Sequence, residues 1–473
     1  MTISIKSICG SFNEVPKVTD LKVTAFGLDT IDIEYKVNDV ELNICRQYLI
    51  LNGEKREITK DTGYESNSNI FKYKILELDI DTIYTIQIVA SDGLDEGLSE
   101  AIQQKTKNIA LLGIRVDESN SNPETSVTYL EGAVGMTPAN SNNLGNWENK
   151  WPFNEIRIVG FKDGRVVKEI KKEDMTSYVD GTNVTDDVDV MVEFPKIYVK
   201  TNNITNGYEI RISDIKIDDS YECYSHMLGK KEQDYIYIGA YLGHIKNKEL
   251  RSISNVLPTS GVSQDNFRVA AKARGNGYKQ LYLGAIDLIN ILYAIMYKNK
   301  NGTIIGKGYT NKENKNKANT GNTNNKGFVY GEANGKEQMC FLGIEDLYGN
   351  LLQWLDGVYI DSYWDIMVSP DNMVFKSYVD SSYIRLGKCT ADHYIWNGYT
   401  SKVLHKNKAI FFPMEFSGSN TSNYGVYSGI MKNNIVQVGA RYSENVTRGI
   451  FSFYANGSGA SSDIGGRLCY LGE

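Results

Sequence analysis

The sequence predicts a multidomain protein: an N-terminal all-β sandwich followed by a larger unit that mixes strands with helices. Three observations carry this expectation. The chain has 473 residues, and at roughly 150 residues per domain it has room for about three domains. Residues 14–107 alternate apolar and polar side chains with a period of two, broken by turn signals at short intervals. Beyond residue 110 strand-like runs surround a strongly helical segment at 285–297.

Within the first unit, Leu21, Val23 and Ala25 alternate along one strand and Ile31, Ile33 and Tyr35 along the next. Tyr48 to Asn52 and Phe71 to Ile75 are further strands, and Asn52-Gly53 and Asp92-Gly93 have the residue types of tight hairpin turns. The run from Leu76 to Ala90 places Tyr84 at the start of a strand, just after a Leu-rich corner. A Tyr there is expected to bond through its hydroxyl to the backbone of the preceding loop.

In the second unit, 190–199 reads as two short strands around Pro195, and 234–239 as another. Leu288, Ile289, Leu292, Ile295 and Met296 recur at helical spacing, flanked by Ile291 and Ala294, so the helix at 285–297 should be buried on most sides. Residues 298–326 are rich in Lys, Asn and Gly and predict a long surface loop, with the charge run Lys312 to Lys317 solvated. Short β segments follow at 435–441, 449–454 and 467–471. The expected divisions are an N-terminal segment 1–13, a β-sandwich at 14–107, a β-rich opening region at 108–200 and a terminal domain at 201–473.

Composition narrows the function classes. Hydrophobic residues make up 41% and charged residues 23%, a globular balance. A net charge of −7 argues against a whole-chain grip on nucleic acid. No run approaches the roughly 20 apolar residues that span a bilayer, so no membrane insertion is expected. The first ten residues lack a basic stretch followed by an apolar one, so no signal peptide is expected and the chain should be made in the cytoplasm. The six Cys are scattered without a C-x-x-C pair and should be reduced, small buried hydrophobes. Tyr, at 32 against 15 Phe, suits binding surfaces, although AT-rich codons produce the same bias.

Chemistry-bearing patterns are few. Cys223-Tyr-Ser-His226 has ligand-like spacing but lacks a second pair, so no metal and no cofactor are expected. There is no G-x-S-x-G elbow, and Gly306-Lys-Gly308 lacks the rest of a phosphate loop. Glu345-Asp346 and Asp361 with Asp365 are carboxylate pairs of the kind a glycosidase needs, a weak signal in a chain with 58 acidic residues. No catalytic residues are assigned and no enzyme is expected. The positive signal is aromatic, amide-rich loops that suit a sugar or a protein surface. These give Trp396 and Asn397, Tyr424 and Tyr427, and Tyr454 and Asn456 as ligand contacts. Taking Val436 and Val438 as inward points Gln437 and Arg441 outward, which completes the candidate set.

The first unit resembles a fibronectin type III domain, through the Tyr84 corner, the opening Val15-Pro16 and the closing Gly97-Leu98-Ser99; Tyr35 stands where that family usually has a buried Trp. The second unit resembles tail fibre and receptor-binding proteins of phages of Gram-positive bacteria. Five ordered stretches carry this: Gly113 to Met136, Asp189 to Lys196, Asp234 to Tyr241, Gly343 to Gly357 and Asp463 to Tyr470. Tyr348 to Gly357 is also similar to the G-N-V-W-E-W motif of formylglycine-generating enzymes and their C-type lectin-like relatives. The closing Ile464-Gly-Gly-Arg467 is similar to the end of the variable regions in diversity-generating phage tip proteins. The resemblance implies a C-type lectin-like α+β domain with ligand contacts on the loops and strands before the final strand. The enzymes' paired cysteines are missing, and Trp396-Asn397-Gly398 only partly matches the lectins' calcium-binding loop, so neither activity carries over. The implied function is a receptor-binding protein of a phage tail or tailocin particle, recognising a bacterial cell-surface protein or glycan. Its other partners would be tail or baseplate proteins and further copies of itself, a trimer being favoured. A structural baseplate or capsid decoration protein and a wall-polysaccharide-degrading tail enzyme are the alternatives.

Overall fold

Ile31, Ile33, Tyr35 and Val37 are buried in strict alternation along the strand Ile31–Asn38, which fixes one face of the N-terminal unit. The computed structural model describes residues 13–472 except 28, 40–43, 45, 60–64, 68, 390–395, 456 and 458. Cys9, Cys45 and the candidate Asn456 therefore lie outside the described residues. The chain divides into two units, residues 1–109 and 110–473.

The described residues of the N-terminal unit form two sheets. One runs Lys17–Phe26, Ile31–Asn38, Ile70–Ile75, Glu65–Asn67; the other runs Glu54–Glu57, Arg46–Leu51, Ile83–Ser91, Glu96–Leu98, with Ile102–Lys105 also paired to Ile83–Ser91. Asn52 and Gly53 both have positive φ, 50° and 91°, so the hairpin closes in the two-residue turn that this dipeptide favours. Leu49, Ile75, Ile86 and Ile88 fill the core with Tyr35, whose hydroxyl donates to Gln47 Oε1 at 2.6 Å. The Tyr84 hydroxyl accepts a hydrogen bond from the Asp79 amide at 2.8 Å, the bond expected of that corner. The first strand departs from simple alternation. Bulges between Thr19 and Lys22 and between Val23 and Ala25 shift its register, leaving Leu21 and Val23 half-buried and Ala25 exposed.

The C-terminal unit is far richer in strands than in helices. A four-stranded antiparallel sheet runs Val127–Glu131, Leu111–Asp117, Gly207–Ser213, Tyr198–Ile204. A six-stranded one runs Arg165–Ile170, Arg157–Lys162, Asp189–Pro195, Tyr235–Gly239, Leu468–Tyr470, Tyr278–Gln280. Both join the segments expected as separate regions at 108–200 and 201–473, so these form one unit. Residue 200 itself lies inside a strand. A third sheet runs Ile384–Lys388, Asp365–Val368, Leu352–Ile360, Asn434–Val438, Phe453–Ala455, Tyr427–Ile430, Trp396–Tyr399. Ile464–Gly465 adds a parallel pairing to Leu352 and Gln353.

Among the described residues, two α-helices accompany these sheets. Helix α1 (Gln264–Lys272) starts at Ser263, whose hydroxyl accepts from the Asn266 amide, and buries Phe267, Ala270 and Ala271. Helix α2 (Leu283–Tyr297) is buried at all fifteen positions, as its apolar residues on every side require, and stops at Lys298 in a left-handed conformation. Residues 298–326 are irregular, as expected, yet they are not a surface loop throughout: Lys300, Ile305, Thr320, Thr323 and Asn324 are buried. Polar loops can enter a core when their groups are satisfied. Lys300 Nζ donates to the Asn120 carbonyl at 2.7 Å, and burial lowers its pKa to about 8.

Candidate functional site

Cross-strand register collects four of the eight candidate residues, Asn397, Tyr427, Gln437 and Tyr454, on one face of the third sheet. Asn397 pairs with Gly429, Gly429 with Tyr454, Tyr454 with Gln437, and Gln437 with Trp354. Residues in register across neighbouring strands point to the same side. Gly429 leaves room for the Tyr454 ring: a Cβ there would stand 3.0 Å from the ring's Cε2. Tyr399 and Tyr427 form the next pair on this face, their rings perpendicular at 5.5 Å, and the Tyr427 hydroxyl donates to Asn397 Oδ1 at 3.0 Å.

An arginine covers the tyrosines. The Arg448 guanidinium stands 4.7 Å from the Tyr454 ring centroid and 5.6 Å from that of Tyr427. Arg448 and Arg441 flank Glu444 at 3.2 and 3.3 Å, and Arg441 reaches Asp463 at 2.6 Å. Burial works against ionising Asp463, but its bonds to Ser461 and Arg441 keep the carboxyl below the usual range.

Beside this chain of contacts opens a polar groove of about 350 Å³. It is lined by Lys307, residues 310–313, Asn334 and Gly335 and by residues 444–448, together with Tyr399 and Asn420. The walls are tied together: the Glu444 amide donates to the Thr310 carbonyl at 3.1 Å, and those of Thr310 and Asn311 donate to the Gly335 carbonyl.

Behind the groove lies a buried polar hub. Glu345 accepts from the Gly321 and Thr323 amides at 2.8 and 2.9 Å, and Asp346 accepts from Asn350 and Gln338 at 2.9 and 2.6 Å. Asn350 also exchanges hydrogen bonds with both backbone groups of Ala318. These contacts hold the 298–326 segment, and through it one groove wall. Burial raises both carboxyls above their ordinary range, and for Asp346 the neighbouring Glu345 charge adds to the shift. The other carboxylate pair is structural as well. Asp361 Oδ1 accepts the Tyr363 and Asp365 amides at 2.8 Å, and Asp365 pairs with Arg385 at 2.7 Å. His226 is fully buried between Ser225 and the Phe194 carbonyl, which lowers its pKa to about 4.

Of the eight expected contacts, Asn397 and Arg441 are exposed and Tyr427 and Tyr454 half-buried, all around the Arg448 cluster. Two are core residues instead. Tyr424 is 0% exposed; its hydroxyl donates to Glu118 at 3.0 Å and lies 3.0 Å from that of Tyr208. Gln437 is 1% exposed because its strand is central and covered on both faces, so alternation with Val436 and Val438 does not turn it to solvent. Trp396 lies on the edge strand opposite Ile430, and Asn456 is outside the described residues. The sequence reading missed Tyr399, Asn420, Asn445, Arg448 and the 307–313 wall. The signal in the sequence for that wall is the Lys- and Asn-rich composition of 298–326.

No family model and no curated protein matches the chain. Among solved structures, a family 28 exopolygalacturonase from Yersinia enterocolitica aligns at 17% identity over 20% of each chain, with a TM-score of 0.16. The match thus spans a fifth of that enzyme's length. The fibronectin type-III domain of human fibronectin type III domain containing protein 3 aligns at 17% identity over 22% of this chain and 93% of its own, with a TM-score of 0.15. A chimeric titin Z1Z2 tandem aligns at 9% identity over 47% of this chain and 91% of its own, with a TM-score of 0.17. At such scores these likenesses carry no argument about fold or activity.

Proposed function

We propose that this chain is a receptor-binding protein of a phage tail or tailocin particle that recognises a bacterial surface protein or glycan without cutting it. Its N-terminal sandwich is a fibronectin type III domain acting as a spacer or docking module, and its C-terminal unit is C-type lectin-like. It works as a homo-oligomer, a trimer being favoured, alongside other tail or baseplate proteins. The observation that carries the reading is the accessible cluster of Asn397, Tyr427, Arg441 and Tyr454 beside a polar groove, on the segment before the final strand. Rigid aromatic surface with amides and an arginine is the composition of a recognition face. The ordered motif resemblance supports the particle assignment, and the structural bonds of both carboxylate pairs favour a binder over a hydrolase. The test is adsorption of the purified chain to candidate host cells, with wild type compared with an Asn397→Ala, Tyr427→Ala variant. The expected result is adsorption by wild type and its loss in the variant, with the melting curve nearly intact. Wild-type protein that binds no host cell would favour a purely structural particle component.

A further inference from the structure

We infer that the groove between residues 307–313 and 444–448 binds an anionic, hydroxyl-rich polymer, a chain of sugar or polyol units carrying phosphate or carboxylate. The assignment rests on the receptor-binding reading for where such a polymer is met.

Charge and hydrogen-bonding capacity both point to such a ligand. The acids at the groove are already matched. Glu444 is held between Arg441 and Arg448, and Glu313 pairs with Lys336 at 3.4 Å. Lys307 and Lys312 also line the groove, both exposed, and neither ammonium has an acidic partner among the described residues. The groove thus carries a local surplus of positive charge in a chain whose net charge is −7. Flexible ammonium groups are point-charge donors suited to phosphate or carboxylate. The exposed side-chain amides of Asn420 and Asn445 line the same groove and make no hydrogen bond among the described residues. Each offers a donor and an acceptor, the combination that matches hydroxyl groups. A neutral glycan would leave the two ammonium groups unused, and an apolar peptide segment would leave the amides unpaired.

The test measures binding of the full chain to poly(glycerol phosphate) and to alginate, with dextran as the neutral polymer and polyglutamate as the anion without hydroxyls. Binding to at least one of the first two is expected, and which one distinguishes phosphate from carboxylate. It should weaken as salt is raised. The Lys307→Gln, Lys312→Gln variant should lose about tenfold or more in affinity, the scale of two charge-assisted contacts, with an unchanged melting curve. If that variant fails to fold, Glu313→Gln carries the test, and its affinity must rise. Equal binding of dextran or polyglutamate, an unaffected double variant, or binding to neither anionic polymer overturns the assignment. A chain that binds neither polymer yet adsorbs to host cells overturns it while the receptor-binding reading stands.

Discussion

Arg467 donates through Nε to Gln353 Oε1 at 2.8 Å, joining the last strand region to the strand Leu352–Ile360 of the third sheet. The guanidinium is fully buried, and its other nitrogens donate to the carbonyls of Gly239, Glu345 and Asp346 at 2.7–2.9 Å. Burial lowers its pKa to about 10, so it stays charged at neutral pH. Arg467→Met should therefore destabilise the C-terminal unit by about 3–5 kcal/mol, because it strands several buried acceptors. Tryptophan fluorescence follows this unit alone, since Trp147, Trp151, Trp354, Trp364 and Trp396 all lie within it. A denaturant midpoint close to wild type would refute the structural role of Arg467.

The N-terminal unit can be tested by the complementary signal. Tyr84→Phe removes the acceptor for the Asp79 amide and should cost about 1–3 kcal/mol. Calorimetry should show one transition lowered while the fluorescence-detected transition stays in place. If neither moves, that hydrogen bond contributes nothing to the corner.

How much was legible follows from what each signal depends on. The N-terminal strands, the Asn52-Gly53 turn and the Tyr84 bond are local patterns, and the structure contains each of them. The all-round burial of α2 was legible for the same reason. Helix α1 was not read, because Phe267, Ala270 and Ala271 form too short an apolar stripe among polar residues. Tyr424 and Gln437 were misplaced because their burial comes from distant partners. Glu118 lies 306 positions from Tyr424, and Gln437 is enclosed by strands from both sides of it in sequence. The buried stretches of 298–326 are held by Glu345 and Asn350, which composition alone does not reveal.

The correction at Tyr424 has its own test. Tyr424→Ala should destabilise the C-terminal unit by about 3–5 kcal/mol, as expected for an aromatic core truncation. Its ring stands 6.0 Å from that of Phe451, and its loss also removes a partner of Glu118. Tyr427→Ala, at a half-buried position, should cost much less. Similar fluorescence-detected midpoints for the two variants would contradict the placement.

Cys223, Cys340, Cys389 and Cys469 are free and buried, and burial pushes their thiols up to about 12. They remain protonated and unreactive near neutral pH. A reductant should leave the fluorescence-detected melting midpoint unchanged. A drop of several degrees would reveal a disulfide in this unit.

Asp287 gives the stability of the C-terminal unit a pH dependence with a definite sign. It sits on α2 and accepts the Ile410 amide at 2.8 Å, but burial raises its pKa from 3.8 to about 7. Between these values the folded state holds a proton that the unfolded chain has released. Its contribution to stability is complete below about pH 4 and is lost as pH rises toward about 7, by roughly 1.4 kcal/mol per unit. Asp356, paired with Arg268 at 2.8 Å and raised to about 6, adds to the same fall. Asp287→Asn keeps an oxygen for the Ile410 amide and never ionises, so it should remove the Asp287 share of the slope and leave that of Asp356. In urea titrations followed by tryptophan fluorescence, the variant should gain on wild type between about pH 4 and about pH 7. Stability curves that run parallel across this range would mean that Asp287 ionises in the folded state as freely as in the unfolded one.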